Sequence, residues 1–218
     1  LAIDPNNPAN IWFASRQNGV WIKRGSAAWA QVIGLPAVST LGEPSRFDRA
    51  GFTFVLFDSN SGTTNGETNV VYVGAWGGSG GGVYRRSVTG GSWTRITPTS
   101  GIDTQPMRAA IAPNGDFYSI FNAWAGWETP NDLKRYRSGA WTTINPTNRN
   151  SLTGVAVHPD SQQLILTANM RLWKSNNQGS TWQNCSHEFR FPQNQLVPQW
   201  LTTEVSNNLA CSAIFDPA

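Results

Sequence analysis

The residues able to do chemistry in this sequence are its carboxylates and its loop tryptophans. Hydrolysis of a glycosidic bond needs two carboxyl groups facing each other across the scissile bond, ~5 to 9.5 Å apart. Asp4, Asp58, Asp160 and Asp216 each fall in or beside a turn after an apolar stretch, where an Asp side chain caps its own turn backbone. Asp116, in Asn114-Gly115-Asp116, reads as a hairpin residue of the same kind. That leaves Glu128 and Asp132, which share a stretch with aromatics, as the best remaining pair, although a solvated loop is the ordinary place for such residues. The spacing therefore assigns no catalytic residue.

The aromatics offer more. A sugar ring presents an apolar C–H face that stacks on a flat aromatic, while its hydroxyls bond to amides and carboxylates. The run 122–132, Asn122-Ala123-Trp124-Ala125-Gly126-Trp127-Glu128-Thr129-Pro130-Asn131-Asp132, supplies both. Trp124, Trp127, Asn122 and Glu128 are the candidate carbohydrate-binding residues. Trp76, ahead of the glycine-rich run 77–81, is the next candidate and is expected to be exposed on a flexible hairpin loop. That run makes no phosphate cradle, since no Lys-Ser/Thr pair and no helix follow it. His158 and His187, with Cys185 and Cys211, are spread over separate segments and lack metal-ligand spacing, so no metal and no cofactor is expected. Arg108, Arg135 and Arg137 do not assemble a carboxylate-binding cluster by spacing.

Composition limits what can position these groups. Only 13% of the 218 residues are charged, while 21 are glycine and 11 tryptophan, a balance of short strands and turns with no run of helical period. The net charge of +3 is small and scattered, which gives no nucleic-acid or polybasic membrane footprint. No apolar run approaches the ~20 residues of a membrane span. The first residue is Leu1 and no signal peptide is visible.

The positioning element is a repeated hairpin. Leu172-Trp173-Lys174-Ser175 leads through a polar turn to Trp182. The same frame joins Gly19-Val20-Trp21 to Trp29, Gly82-Val83-Tyr84 to Trp93, and Leu133-Lys134-Arg135-Tyr136 to Trp141. Two further strands precede each hairpin, so the chain divides into four-stranded antiparallel meanders at about 1–36, 50–97, 105–146 and 150–185, with a further beginning at 208–218. Units of this length stacked radially are the blades of an all-β propeller. The four closing tryptophans, Trp29, Trp93, Trp141 and Trp182, are expected to be structural. A long polar turn is expected over 59–68. An open propeller exposes its terminal blades, so closure is expected from further blades or from a second copy of the chain.

Ser175-Asn176-Asn177-Gln178-Gly179-Ser180-Thr181-Trp182 resembles the Asp-box, or BNR repeat, Ser-x-Asp-x-Gly-x-Thr-Trp, with Asn177 in place of the aspartate. The stretches 57–64 with 70–74, 106–118 and 139–146 are similar, in order, to the N-terminal propeller of glycoside hydrolase family 74, and the resemblance covers nearly the whole chain. It implies seven-bladed propellers, a secreted endo-β-glucanase or xyloglucanase, and a β-1,4-glucan polysaccharide of the xyloglucan type as substrate. The family's first catalytic aspartate lies in an Asp-Val-Gly-Gly-type turn and its second in the second propeller. Neither motif is present here, so the 218 residues alone are expected to bind glycan without hydrolysing it. The alternative is a non-catalytic Asp-box propeller, lectin-like or sortilin-like, that binds glycans or proteins and self-assembles.

Overall fold

A computed structural model describes residues 1–42, 50–122, 131–147, 152–168 and 171–185. These form four sheets, each a four-stranded antiparallel meander in sequence order. Blade 1 holds β1 (Ala2–Asp4), β2 (Asn7–Ser15), β3 (Gly19–Arg24) and β4 (Ala30–Gln31). Blade 2 holds β5 (Gly51–Thr64), β6 (Glu67–Trp76), β7 (Gly82–Arg86) and β8 (Thr94–Arg95). Blade 3 holds β9 (Pro106–Ile111), β10 (Phe117–Asn122), β11 (Asn131–Arg137) and β12 (Ala140–Thr143). Blade 4 holds β13 (Leu152–Val157), β14 (Leu164–Ala168), β15 (Arg171–Ser175) and β16 (Gln183–Asn184). The chain is all-β, and the propeller architecture read from the sequence is the one observed. The strand beginning expected at 208–218 lies outside the described residues.

Strand alternation sends every second side chain to the same face, and facing sides of adjacent blades are buried against each other. Trp12, Val20 and Ile22 of blade 1 meet Val55, Val71 and Val73 of blade 2. Val70, Tyr72 and Val83, on the other face of blade 2, meet Phe117 and Phe121 of blade 3. Tyr118, Ile120 and Leu133 of blade 3 meet Leu152, Leu164, Leu166 and Trp173 of blade 4. Tyr72 stacks on Phe117 with centroids 4.3 Å apart, so one aromatic pair crosses the middle interface.

Three of the four closing tryptophans act as staples between blades. The Trp141 indole N–H donates to the Ile96 carbonyl of blade 2 at 2.7 Å, and that of Trp182 to the Ile144 carbonyl of blade 3 at 2.7 Å. Both acceptors follow the fourth strand of the preceding blade. Trp93 packs edge-on against Trp12 at 6.3 Å. The Arg86 guanidinium lies 5.3 Å from the Trp12 ring and 5.4 Å from that of Trp93, a double cation–π contact. Burial pulls Arg86 below its usual range, and the Glu67 carboxylate beside it opposes that shift. Trp29 departs from expectation. It is 45% exposed, because among the described residues no other sheet covers the face that bears it.

The turns between first and second strands interlock along one rim. Asp4, 1% exposed, accepts from the Asn6 N–H of its own turn at 3.0 Å and from the Thr68 N–H and hydroxyl of blade 2. Asn6 Nδ2 donates to the Ser59 carbonyl at 3.1 Å, and Asn60 Nδ2 repeats the move onto the Pro113 carbonyl at 2.8 Å. The long polar turn expected over 59–68 is instead a continued hairpin, with a register shift between Asp58 and Thr63. Asn65 and Gly66 adopt positive φ of 53° and 73°, which lets two residues reverse the chain in the sense that strand twist favours. Polar composition there concealed strand.

The turn before Trp182 closes on itself. Ser175 Oγ accepts from the Gly179 N–H at 2.8 Å, and Asn177 Oδ1 accepts from the Thr181 N–H at 2.8 Å. Asn177 Nδ2 donates back to Thr181 Oγ1 at 2.8 Å. Replacing Asn177 by Ala removes two of these bonds and should cost about 1–2 kcal/mol in urea denaturation, whereas Asn177→Asp keeps the acceptor and should stay within about 0.5 kcal/mol of the parent. Trp182→Phe keeps an aromatic ring but loses the indole N–H staple to Ile144 and part of the packing, for an expected loss of at least about 1 kcal/mol. Trp29→Phe, measured the same way, should leave the midpoint unchanged.

Candidate glycan-binding end

Meander topology places the β2–β3, β6–β7, β10–β11 and β14–β15 loops at one end of the molecule, together with the connections that lead from each fourth strand to the next blade. The loop carrying Trp124, Trp127 and Glu128 is among these, and those three residues lie outside the described ones. Its two ends are described. Asn122, the last residue of β10, is paired in register with Asn131, the first residue of β11.

Beside these strand ends is a polar cluster drawn from blade 3 and the connection that leads into it. Asn145 Nδ2 donates to Asp132 Oδ1 at 2.7 Å, and Asn145 Oδ1 accepts from the Leu133 N–H at 2.6 Å. Lys134 Nζ lies 2.5 Å from Asp103 Oδ1 and 4.0 Å from Asp132 Oδ2, with its ammonium 5.5 Å from the Phe121 ring centroid. Asp103 comes from a short 3-10 turn, Gly101–Thr104, that connects blade 2 to blade 3. Asp132, the sequence-level partner for Glu128, is therefore held by an amide and a lysine. Sequence gave no sign of this cluster, because its members come from separate segments with no periodic relation.

Trp76 also departs from expectation. It is the last residue of β6, in register with Gly51, and is 6% exposed. The expected exposed ring is buried and presents no open face to a sugar. The glycine run after it is pinned and not the flexible loop expected. Gly77 N–H donates to the Thr104 carbonyl at 2.9 Å and Gly80 N–H to the Thr40 carbonyl at 3.1 Å. A β-carbon on Gly78 would sit 2.1 Å from the Thr40 carbonyl oxygen, and one on Gly81 2.1 Å from that of Thr104. Only glycine allows the backbones that close. Tyr84 and Arg95 complete the clamp, donating to the carbonyls of Gly80 and Ser79 at 2.9 and 3.0 Å.

The described carboxylates are all engaged by the protein. Asp4 caps the rim turns, and Asp58 accepts from Asn60 N–H at 3.1 Å. Glu67 pairs with Arg24. Asp116, expected as a hairpin residue, is 4% exposed and pairs with Arg137, whose Nε donates at 2.7 Å. Asp160 accepts from the N–H groups of Gln162 and Gln163 at 2.7 and 3.1 Å, which hold its carboxyl below the usual range. Asp216 lies outside the described residues. Arg135 and Arg137 both reach Gln178, and Arg137 also serves Asp116, but Arg108 bonds the Met107 carbonyl and does not join them. Among the described residues no group of three or more His, Cys, Asp or Glu could hold a metal ion.

Known proteins resemble this chain in sequence and in fold. No family model matches it. A xyloglucanase of Paenibacillus sp is 26% identical over 232 residues, an alignment covering 93% of this chain and 22% of that protein. The crystal structure of the glycoside hydrolase family 74 xyloglucanase from Xanthomonas campestris superposes with a TM-score of 0.70 at 25% identity, over 84% of this chain and 29% of that one. The family 74 enzyme of Niastella koreensis does so with a TM-score of 0.68 at 25% identity, over 84% of this chain and 28% of that one. The chain thus spans between about a fifth and a third of these three proteins. With four antiparallel blades aligned over most of its length, it is a β-propeller chain similar in sequence and fold to proteins of glycoside hydrolase family 74.

Proposed function

We propose that this chain forms part of the polysaccharide-binding surface of a secreted, xyloglucan-degrading propeller protein, and that the catalytic aspartates lie in blades outside these 218 residues. The observation that carries the reading is the alignment of 84% of the chain to the Xanthomonas campestris xyloglucanase. A β-1,4-glucan backbone would lie across the loop end, stacking on Trp124 and Trp127, with Asn122 and Glu128 bonding its hydroxyls. The cluster of Asp132, Asn145, Lys134 and Asp103 fixes the strand ends from which that loop leaves. In the same reading the Ser175–Trp182 turn is an Asp-box serving as a hairpin lock, and no cofactor is required.

One observation favours a second reading, a non-catalytic glycan-binding propeller. Each described carboxylate already accepts hydrogen bonds from its own fold, which suits a surface that binds and does not cleave. Titrating xyloglucan oligosaccharides into the purified chain by calorimetry tests the shared part. Binding is expected, with Trp124→Ala plus Trp127→Ala weakening it at least tenfold, about 1.4 kcal/mol. Unchanged binding by the double variant would remove the assignment of the loop. Release of reducing ends by the chain alone would place the catalytic pair inside it.

A further inference from the structure

The sequence holds three Asn-Gly pairs, Asn18-Gly19, Asn65-Gly66 and Asn114-Gly115. In such a pair the asparagine side-chain amide is open to attack by the next main-chain nitrogen, because glycine puts no β-carbon in the way. All three asparagines are exposed, so exposure does not choose among them. Hydrogen bonding does. Cyclisation needs the peptide that joins the two residues to swing until the glycine nitrogen meets the asparagine Cγ. At Asn114 that peptide is tied, since the Gly115 N–H donates to the Ala112 carbonyl at 2.9 Å. The Asn114 side chain is tied as well, with Nδ2 donating to Asp116 Oδ2 and Oδ1 accepting from the Asp116 N–H, both at 3.1 Å. At Asn18 the carbonyl of the joining peptide accepts from the Trp21 indole at 2.6 Å, and the Asn18 N–H donates to Ser15 Oγ at 3.1 Å. Asn65 and Gly66 have no such tether. They are the two-residue turn between β5 and β6, and the last ladder pair is Thr64 with Glu67, just outside them. Among the described residues no hydrogen bond holds the Asn65 side chain or the peptide that follows it.

We propose that Asn65 is a self-modification site of the folded chain. The Gly66 nitrogen attacks Asn65 Cγ and a C–N bond forms. The side-chain amide leaves as ammonia, carrying the proton that the attacking nitrogen gives up, and water then opens the succinimide at either carbonyl. The product is aspartate or isoaspartate at position 65, a net exchange of ammonia for water in which nothing is oxidised or reduced. Each conversion lowers the formal net charge of +3 by one. The turn also carries a contact between blades. Positive φ at Asn65 and Gly66, 53° and 73°, sets the two-residue reversal, and isoaspartate inserts one further main-chain atom into it. The strand leaving the turn grips blade 1: Glu67 pairs with Arg24, and Thr68 bonds Asp4 through its N–H and its hydroxyl. A shifted register at the tip therefore loosens that grip.

Peptide mapping of the folded 218-residue chain, sampled over time at mildly alkaline pH to favour the deprotonated Gly66 nitrogen, tests the site. The bonds that hold Asn114 each cost about 1 kcal/mol to break, so Asn65 should gain the amide-to-acid mass shift at least about tenfold faster than Asn114, and ahead of Asn18. In urea the three sites should react at similar rates. The aged chain should also unfold at lower urea than the fresh one. Asn65→Gly suits the positive φ and removes the amide, so its aged form should keep the midpoint of its fresh form. Equal rates at the three sites in the folded chain, faster conversion at Asn18 or Asn114, or a rate order that persists in urea would overturn the assignment of Asn65 by its fold. An aged parent with an unchanged midpoint would overturn the effect on the grip between blades 1 and 2.

Discussion

A four-stranded antiparallel sheet has no interior, and the rest of this structure follows from that constraint. Each blade has two faces and too few strands to fold over itself, so its apolar side chains are buried only where another blade lies against it. All three core clusters lie between sheets and none lies within one. Stability then accumulates interface by interface, and each interface needs features that fix one sheet relative to the next. The indole staples from Trp141 and Trp182 provide direction as well as burial, since an N–H must meet a particular carbonyl. At the first interface the same position does different work. Trp93 and Trp12, packed edge-on, both contact the Arg86 guanidinium, a cation that can stay buried because Glu67 is beside it.

The loop end inherits its geometry from these interfaces. The glycine run after Trp76 is held from one side by Thr40, before blade 2, and from the other by Thr104, before blade 3. Lys134 of blade 3 ties itself to Asp103 in the connection from blade 2. No one blade builds this end. A disturbance in sheet stacking would therefore reach it without touching any residue exposed there, much as second-rank contacts set the precision of sites carried on loops.

The parts legible in the sequence were those governed by period. Hairpin frame, strand count and four-stranded grouping repeat with the chain, and a repeat can be read without knowing its neighbours. Misreadings came from assuming that local composition fixes local structure. Residues 59–64 are polar, yet they are strand, because Asn65 and Gly66 close the turn six residues later than composition suggests. The glycines after Trp76 look flexible in isolation, but they are glycines because neighbouring backbones leave no room for a β-carbon. Trp29 shares its sequence position with three packed tryptophans and differs only in having no sheet against it among the described residues. Lys134 and Asp103 meet through tertiary packing alone.

The hairpin at Ser175–Trp182 shows why such a repeat tolerates drift at one residue and not at another. An aspartate at position 177 would accept hydrogen bonds on both oxygens, from the Thr181 N–H and the Thr181 hydroxyl. The asparagine keeps the first bond and reverses the second, donating its amide to Thr181 Oγ1, because a hydroxyl can serve as donor or acceptor. The exchange costs no bond. Trp182 has no such substitute: its N–H reaches a main-chain carbonyl, which only accepts, and its ring fills the contact with blade 3. Intramolecular locks that end on a hydroxyl are free to change partner chemistry, while locks that end on a neighbouring blade's backbone are not, and that difference lets the turn sequence erode as the blade fold persists.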